Sequence, residues 1–149
     1  MANEAVIKIE AIRTYDFTVA DGTGIEKGTI LRLIQNRTAI ASSGTSEVFA
    51  GIAKREKIAS DGRTSIAVAT DGVYDLVLAT NSTCQAGDLM VISGANLIAA
   101  AATFPSGTDA FGNTVAGVVR AMVSGMIVGK ALETGASGAT VEVDVGVKG

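Results

Sequence analysis

The sequence contains no histidine, no tryptophan, one cysteine and one proline among its 149 residues. Without histidine, the commonest general base near neutral pH and the commonest zinc ligand are both missing. The lone Cys84 excludes an internal disulfide and fits a reducing compartment. With no histidine to activate it, we interpret its thiol as an exposed or half-buried spectator. We therefore expect no catalytic residue, no metal site and no cofactor.

Charged and aromatic residues are also scarce, at 18% and 4% of the chain, with a net charge of −3. This balance gives no electrostatic footprint for nucleic acid or for an anionic membrane, so we expect neither as a partner. The most apolar segment, residues 115–129, is interrupted by Arg120 and is too short to cross a bilayer. No secretory signal is visible at the start of the sequence.

The charges are unevenly distributed. Residues 1–75 hold nine Lys/Arg and ten Asp/Glu, whereas residues 76–149 hold three and five. Eight charges are few for a solvated half of this size. We expect the second half to be covered by further copies or by a larger surface, unless Ala, Ser, Thr and Gly simply form a neutral exterior.

Alternation of apolar and polar residues predicts an all-β chain. The clearest strand is TVEVDVGVK at residues 140–148, in which Val141, Val143, Val145 and Val147 share one face. Weaker alternation runs through residues 5–12, 29–34 and 65–70. Asp-Gly pairs at residues 21–22, 61–62 and 71–72 favour tight turns in which the carboxylate bonds its own backbone.

No window shows a convincing helical period. For ANLIAAAATF, residues 95–104, we predict a strand followed by a loop in preference to a short helix. PSGTDAFGNT, residues 105–114, is predicted to be a long loop before the strand pattern resumes at Val115.

The glycine-rich stretch ADGTGIEKGT, residues 20–29, has the composition of a phosphate-binding loop. Its order Lys27-Gly28-Thr29 does not match a Walker loop, and the dinucleotide fingerprint fails as well. An internal repeat gives a better explanation. YDFTVA at residues 15–20 aligns with YDLVLA at residues 74–79, and the same offset of 59 brings Gly28 onto Gly87. We therefore interpret the stretch as a turn in a duplicated β unit.

The repeat can be extended further along the chain. Ala50-Gly51-Ile52 resembles Ala116-Gly117-Val118, and residues 59–73 resemble residues 136–147. Among charged residues, the nearest carboxylate pairs are Asp16 with Asp21 and Asp71 with Asp75, but we favour turn chemistry over acid/base chemistry for them. The basic run at residues 54–57, KREK, is interpreted as a solvated face, with a rim contact to an acidic partner as the alternative.

Four phrases together resemble a known family: KGTILRL, EVFAGIAKREKIASDGRTSIAVATDGVYDL, AGDLMVIS and IVGKALETGASGATVEVDV. Over about residues 15–147 the chain is similar to the capsid cement or head decoration proteins of tailed phages. Members are sometimes labelled RecA-type recombinases, and the missing Walker loop argues against that label here. The resemblance implies a small β-barrel or β-tulip-like body that binds the outside of the assembled major capsid protein shell, often as a homotrimer. It also implies a location on the outer capsid surface of a virion, after synthesis in the host cytoplasm.

The first fourteen residues have no counterpart in the repeat and are predicted to form an extended N-terminal arm. A single β domain follows over residues 15–149, with pseudo-repeats at about 15–73 and 74–147. The arm either adds a strand to a capsid subunit or to a neighbouring copy, or is simply the first strand of its own barrel. The predicted capsid or inter-subunit contacts are Glu4, Val6, Ile7, Lys8, Ile9, Phe104 and Phe111.

Two other functions stay open. An adhesive or carbohydrate-binding β module is the main alternative, although its exposed aromatics would have to come from only two Tyr and four Phe. A hydrolase built only from carboxylates would require two acids converging in a cleft.

Overall fold

The computed structural model describes residues 2–45, 47–101, 106–108 and 110–146. Within them, β-structure dominates, as the alternating pattern predicted. The strands are β1 (Val6–Ile9), β2 (Thr14–Thr18), β3 (Ile30–Gln35), β4 (Thr38–Ala41), β5 (Phe49–Ala53), β6 (Ser65–Ala69), β7 (Gly72–Leu78), β8 (Leu89–Gly94), β9 (Leu97–Ala100), β10 (Gly107–Thr108), β11 (Thr114–Val115), β12 (Ile127–Ala131) and β13 (Thr140–Val145). One short helix, α1 (Gly117–Val123), lies between β11 and β12.

Ten of these strands form two closed five-stranded barrels. The first barrel has the order β2-β4-β3-β5-β6, and the second has the order β7-β13-β12-β8-β9. Each is closed by a parallel pair, β2 with β4 and β7 with β9, while the remaining pairs within the barrels are antiparallel. The predicted all-β barrel built from a duplicated unit is confirmed.

The two barrels correspond strand by strand. β8 and β9 start 59 residues after β3 and β4, whereas β12 starts 78 residues after β5. The increase in offset marks an insertion in the second barrel between β9 and β12, residues 101–126, which contains β10, β11 and α1. The predicted match of residues 59–73 to residues 136–147 agrees with the structure, in which β6 and β13 are the equivalent strands of the two barrels.

The predicted match of Ala50-Gly51-Ile52 to Ala116-Gly117-Val118 is wrong. By strand position, Gly51 corresponds to Gly129. A Cβ on Gly51 would lie against the carbonyl oxygen of Ala69, and a Cβ on Gly129 would lie against that of Asp144. The neighbouring strand therefore passes too close for a side chain at this position in either barrel.

The strand pattern does resume at Val115, in β11, but it extends no further, because α1 begins at Gly117. The buried Ala121 of α1 belongs to a small apolar cluster with Val91 and Ile127 of the second barrel. A small residue at this point lets the helix lie close to the barrel wall. The predicted strand within residues 95–104 is confirmed as β9, and residues 102–105 lie outside the described part of the chain.

The hydrophobic core is divided unequally. The first barrel encloses a cluster that includes Leu31, Ile66 and Val68. A larger cluster fills the second barrel, including Val141, Val143 and Val145 as the alternation predicted, and continues to Ile30, Ile52 and Ala69 on β3, β5 and β6 of the first barrel. Because β3, β5 and β6 contribute to both clusters, burial of apolar surface holds the two barrels together.

Candidate functional site

The N-terminal segment lies on the body of its own chain. β1 pairs antiparallel with β7, with Val6 opposite Asp75 and Ile7 opposite Tyr74, and a bulge interrupts the pairing between Ile7 and Ile9. The extended arm is therefore not confirmed. The strand also lies outside both closed sets of five, so it is an added outer strand of the second barrel's sheet.

Residues before β1 contact both barrels. The Ala5 N–H donates to the Gly28 carbonyl at 2.8 Å in the first barrel. The Asn96 side-chain amide of the second barrel donates to the Ala2 carbonyl at 3.2 Å. The segment thus bridges the two barrels, and detaching it would break both hydrogen bonds.

Gly28 belongs to the stretch at residues 20–29 that has the composition of a phosphate-binding loop. Its φ is 87°, and its equivalent Gly87 has a φ of 97°, so both occupy the turn conformation that favours glycine. A Cβ at Gly28 would lie 2.6 Å from the Ala5 carbonyl oxygen, whereas nothing lies within 4 Å of one at Gly87. The turn interpretation is confirmed, and Gly28 has the further role of letting the N-terminal segment pass close by.

The predicted contact residues fall into two places. Val6 and Ile9 are exposed on β1, and Glu4 is half-buried just before it. Ile7, partly exposed, lines a cavity of about 120 Å³ between β1 and the first barrel, beside Lys54. Phe111 is exposed far along the chain in the insertion. Phe104 lies outside the described residues.

The polar residues of β1 and its approach are paired within the chain. The Lys8 ammonium lies 3.2 Å from a carboxylate oxygen of Asp75. The hydrogen bond to Asp75 raises the pKa of Lys8, with further attraction from Glu142 and Glu133. The pKa of Glu4 is lowered, chiefly by a backbone hydrogen bond within the residue. Both groups therefore carry their charge at neutral pH, and the outer surface of β1 combines apolar side chains with a lysine whose charge is paired with Asp75.

The carboxylates proposed as acid pairs have structural contacts. Asp71 is buried, and its Oδ1 accepts hydrogen bonds from the N–H groups of Ile12 and Arg13 at 2.8 and 2.9 Å. Asp21 Oδ1 accepts from the Gly62 N–H at 2.8 Å. The predicted bond from each carboxylate to its own turn is wrong for these two residues, because the N–H groups they accept from belong to distant segments. These hydrogen bonds hold the segment before β2 against the β6–β7 turn, and the β2–β3 loop against the β5–β6 loop.

The interpretation of residues 54–57 as a solvated face is wrong for Lys57, which is buried. Its ammonium donates to the carbonyl oxygens of Asp21 and Ile58 at 2.7 and 3.1 Å, and it lies 3.3 Å from Asp61 Oδ1. A buried ammonium is tolerated only when hydrogen bonds and a counter-charge replace its water. Sequence alternation gave no sign of this, because the Asp21 carbonyl comes from the distant β2–β3 loop, while Ile58 and Asp61 lie in the irregular loop of Lys57 itself.

Cys84 is buried, so both predicted environments of its thiol, exposed and half-buried, are wrong. Burial raises the pKa of its thiol, and the thiol donates weakly to the Glu133 carbonyl at 3.6 Å. By offset it is the equivalent of Ile25, so it fills the same apolar position in the second barrel. No group of three or more acidic or cysteine side chains among the described residues is arranged to hold a metal ion.

No protein-family model and no curated protein sequence matches the chain. Within the described residues, no helix has the length and apolar character needed to span a bilayer.

Sequence reasoning missed one apolar surface, formed by Tyr15, Leu33 and Ile34 at one end of the first barrel. The repeat alone could not have found it, because the equivalent residues in the two barrels are of nearly the same type. Tyr15 and Leu33 correspond to Tyr74 and Ile92. The first two are exposed and the second two are buried, so one end is open in the first barrel and covered in the second.

Proposed function

We propose that this protein is a structural component of a virion that binds the outer surface of the assembled major capsid protein shell and stabilises it. Under this proposal it acts by binding alone, with neither a cofactor nor a chemical reaction. The support from the sequence is the run of phrases that resembles tailed-phage decoration proteins, together with the charge-poor second half. The support from the structure is β1, an outer strand with Val6 and Ile9 exposed on a double barrel.

The physical logic of this role is thermodynamic linkage. A protein that binds only the assembled shell shifts the assembly equilibrium toward the shell. A single contact can be modest, because a typical specific interface buries about 1,600 Å² in total and repetition over a lattice adds avidity. A compact body with two barrels fused by a shared core suits repeated placement on such a lattice.

Substitutions on β1 test this role better than a deletion of the N-terminal segment. Deleting residues 2–12 would remove the hydrogen bonds to Gly28 and Asn96 and so disturb the fold. The double variant Val6→Glu with Ile9→Glu changes only exposed side chains. Ile58→Glu, at an exposed isoleucine that lines a surface pocket with Gly24 and Glu56 in loops of the first barrel, is the matched control.

The measurement is co-sedimentation of each purified protein with undecorated shells. We expect the wild type and Ile58→Glu to saturate the shells and the β1 double variant to lose most of its occupancy. Failure of the wild type to sediment with shells would reject the proposal, and equal occupancy by all three proteins would reject the role of β1.

The main alternative is an adhesive or carbohydrate-binding module, for which the exposed aromatic side chains of Tyr15 and Phe111 are the favourable observation. A glycan array separates the two functions. Saturable binding to a sugar that is lost in Tyr15→Ala, without any shell binding, would favour the alternative.

A further inference from the structure

One end of the first barrel is open where the equivalent end of the second barrel is covered. Tyr15 is 47% exposed and Leu33 is 36% exposed, whereas their equivalents Tyr74 and Ile92 are 4% and 1% exposed. The residue types are nearly the same in the two barrels. The difference therefore comes from what packs over each end.

The side chains of Tyr15 and Leu33 lie on the inward face of the barrel strands, although they are exposed at its end. Tyr15 is paired with Val68, and Leu33 is paired with Ala39. Val68 and Ala39 are fully buried in the cluster inside the first barrel, and directly paired residues place their side chains on the same face of a sheet. Tyr15 and Leu33 thus form an apolar mouth of the first barrel, which we call the open mouth.

In the second barrel this mouth is closed by apolar protein. Tyr74 and Ile92 lie in one buried cluster with Ile30, Ile52 and Ala69 of the first barrel. At the rim, the Ile30 N–H donates to Asn96 Oδ1 at 2.9 Å. Within this chain, such a mouth is therefore covered by apolar side chains on the strands of another barrel.

The open mouth continues into a larger apolar surface, in which Val48 and Phe49 are half-buried. The Leu33 N–H donates to the Val48 carbonyl at 2.9 Å, and the Phe49 N–H donates to the carbonyl of Gly125, just after α1, at 3.1 Å. Met122 of α1 is exposed beside this junction and lines a groove of about 300 Å³ with Phe49. We call the surface formed by Tyr15, Leu33, Ile34, Val48, Phe49 and Met122 the apolar face.

The second barrel of another copy cannot close the open mouth in the way that the first barrel closes the second. The wall residues Ile52 and Ala69 correspond by strand position to Lys130 and Asp144. Placing these charges over an apolar mouth would carry a desolvation cost with no partner on the other side. A head-to-tail series of copies through this contact is therefore disfavoured.

The apolar face is instead suited to meet itself. Surfaces related by a symmetry axis bring like charges together, so a self-associating face must carry little net charge. Here the nearby charged side chains are engaged within the chain: Arg32 of β3 forms an ion pair with Glu47 at 3.3 Å, and the Arg37 guanidinium of the β3–β4 turn donates to the Asp16 carbonyl at 3.2 Å. Residues 89–129, which include the insertion, contain only two charged residues, Asp109 and Arg120.

We propose that the apolar face is the interface between copies of this chain, and that the open mouth of each copy is covered by the apolar face of another. This inference concerns the free protein and does not depend on shell binding. It assigns the open mouth, Tyr15 and Leu33, as the centre of the interface, with the exposed Ile34 at the bulge of β3 beside it.

The test is the oligomeric state of the full chain, measured by sedimentation velocity over a wide concentration range without shells. Ile34→Asp and Met122→Asp each place a charge on the apolar face at an exposed position, so both variants should keep their circular dichroism spectrum. Ile58→Asp is the control at an exposed isoleucine elsewhere. We expect both face variants to dissociate, with the dissociation constant raised about thirtyfold or more, and the control to assemble like the wild type.

Each other outcome overturns the proposal. A wild type that is monomeric throughout rules out self-association, and if the face variants then lose shell occupancy, the shell is the partner of the apolar face. An oligomer that survives both substitutions uses a different surface. If only one of Ile34→Asp and Met122→Asp dissociates the oligomer, the other residue lies outside the interface, which contradicts a single continuous face.

Discussion

Asn96 offers the sharpest test of how the two barrels are joined. It is fully buried, its Oδ1 accepts the Ile30 N–H at 2.9 Å, and its Nδ2 donates to the Ala2 carbonyl at 3.2 Å. Its φ is 55°, a conformation in which glycine is unstrained. The substitution Asn96→Gly therefore removes the side-chain amide without adding backbone strain.

The expected loss can be estimated from these contacts. A buried backbone N–H left without an acceptor costs about 1–3 kcal/mol, and the bond to Ala2 contributes about 1 kcal/mol. We expect Asn96→Gly to lower the free energy of unfolding by about 2–4 kcal/mol.

The internal repeat supplies the matched control. Arg37 is the equivalent of Asn96 in the first barrel, with a φ of 53°, but its guanidinium is exposed over the Phe17 ring. Arg37→Gly should change the free energy of unfolding by only about 1 kcal/mol, because an exposed cation–π contact is weak. Guanidinium unfolding followed by far-ultraviolet circular dichroism measures both. Equal losses in the two variants would refute the role of Asn96 as the bridge between barrels.

Three further predictions follow from single residues. Gly28→Ala should destabilise the protein by about 1 kcal/mol or more beyond Gly87→Ala, since only the former meets Ala5, and equal losses in chemical unfolding would contradict this. The Cys84 thiol, whose pKa is raised by burial, should react with Ellman's reagent far more slowly in the native state than in denaturant; equal rates would contradict its burial. The pKa of Asp61 lies below its ordinary 3.8, chiefly through the Arg63 N–H and then Lys57. Its stabilisation is thus present above that pH and lost on further acidification, so Asp61→Asn should flatten the acid side of the stability curve.

The sequence was sufficient to predict the duplicated all-β body. The alternation at residues 140–145 predicted a strand, and Gly28 with its equivalent Gly87 predicted a turn in each repeat. Both signals are local, and strand faces and turn conformations depend mainly on neighbouring residues. The second part of the repeat was misaligned because the insertion shifts the offset, and α1 is too short and too apolar to show a helical period.

The candidate surfaces were less accessible to prediction. β1 was recognised as a strand, but its partner β7 lies more than sixty residues away, and nothing in the local pattern selects it over another chain. The ammonium of Lys57 is bound by the Asp21 carbonyl of a distant loop as well as by the carbonyl of its neighbour Ile58. The exposure of Tyr15 against the burial of Tyr74 depends on how one barrel sits on the other, which is a property of tertiary packing alone.

Shell binding is tested most directly by cryo-electron microscopy of undecorated shells incubated with the purified full-length protein. The proposed function predicts added density at regular lattice positions on the outer surface, into which the double barrel fits with β1 against the capsid subunits. Bare shells at saturating protein concentration would contradict it.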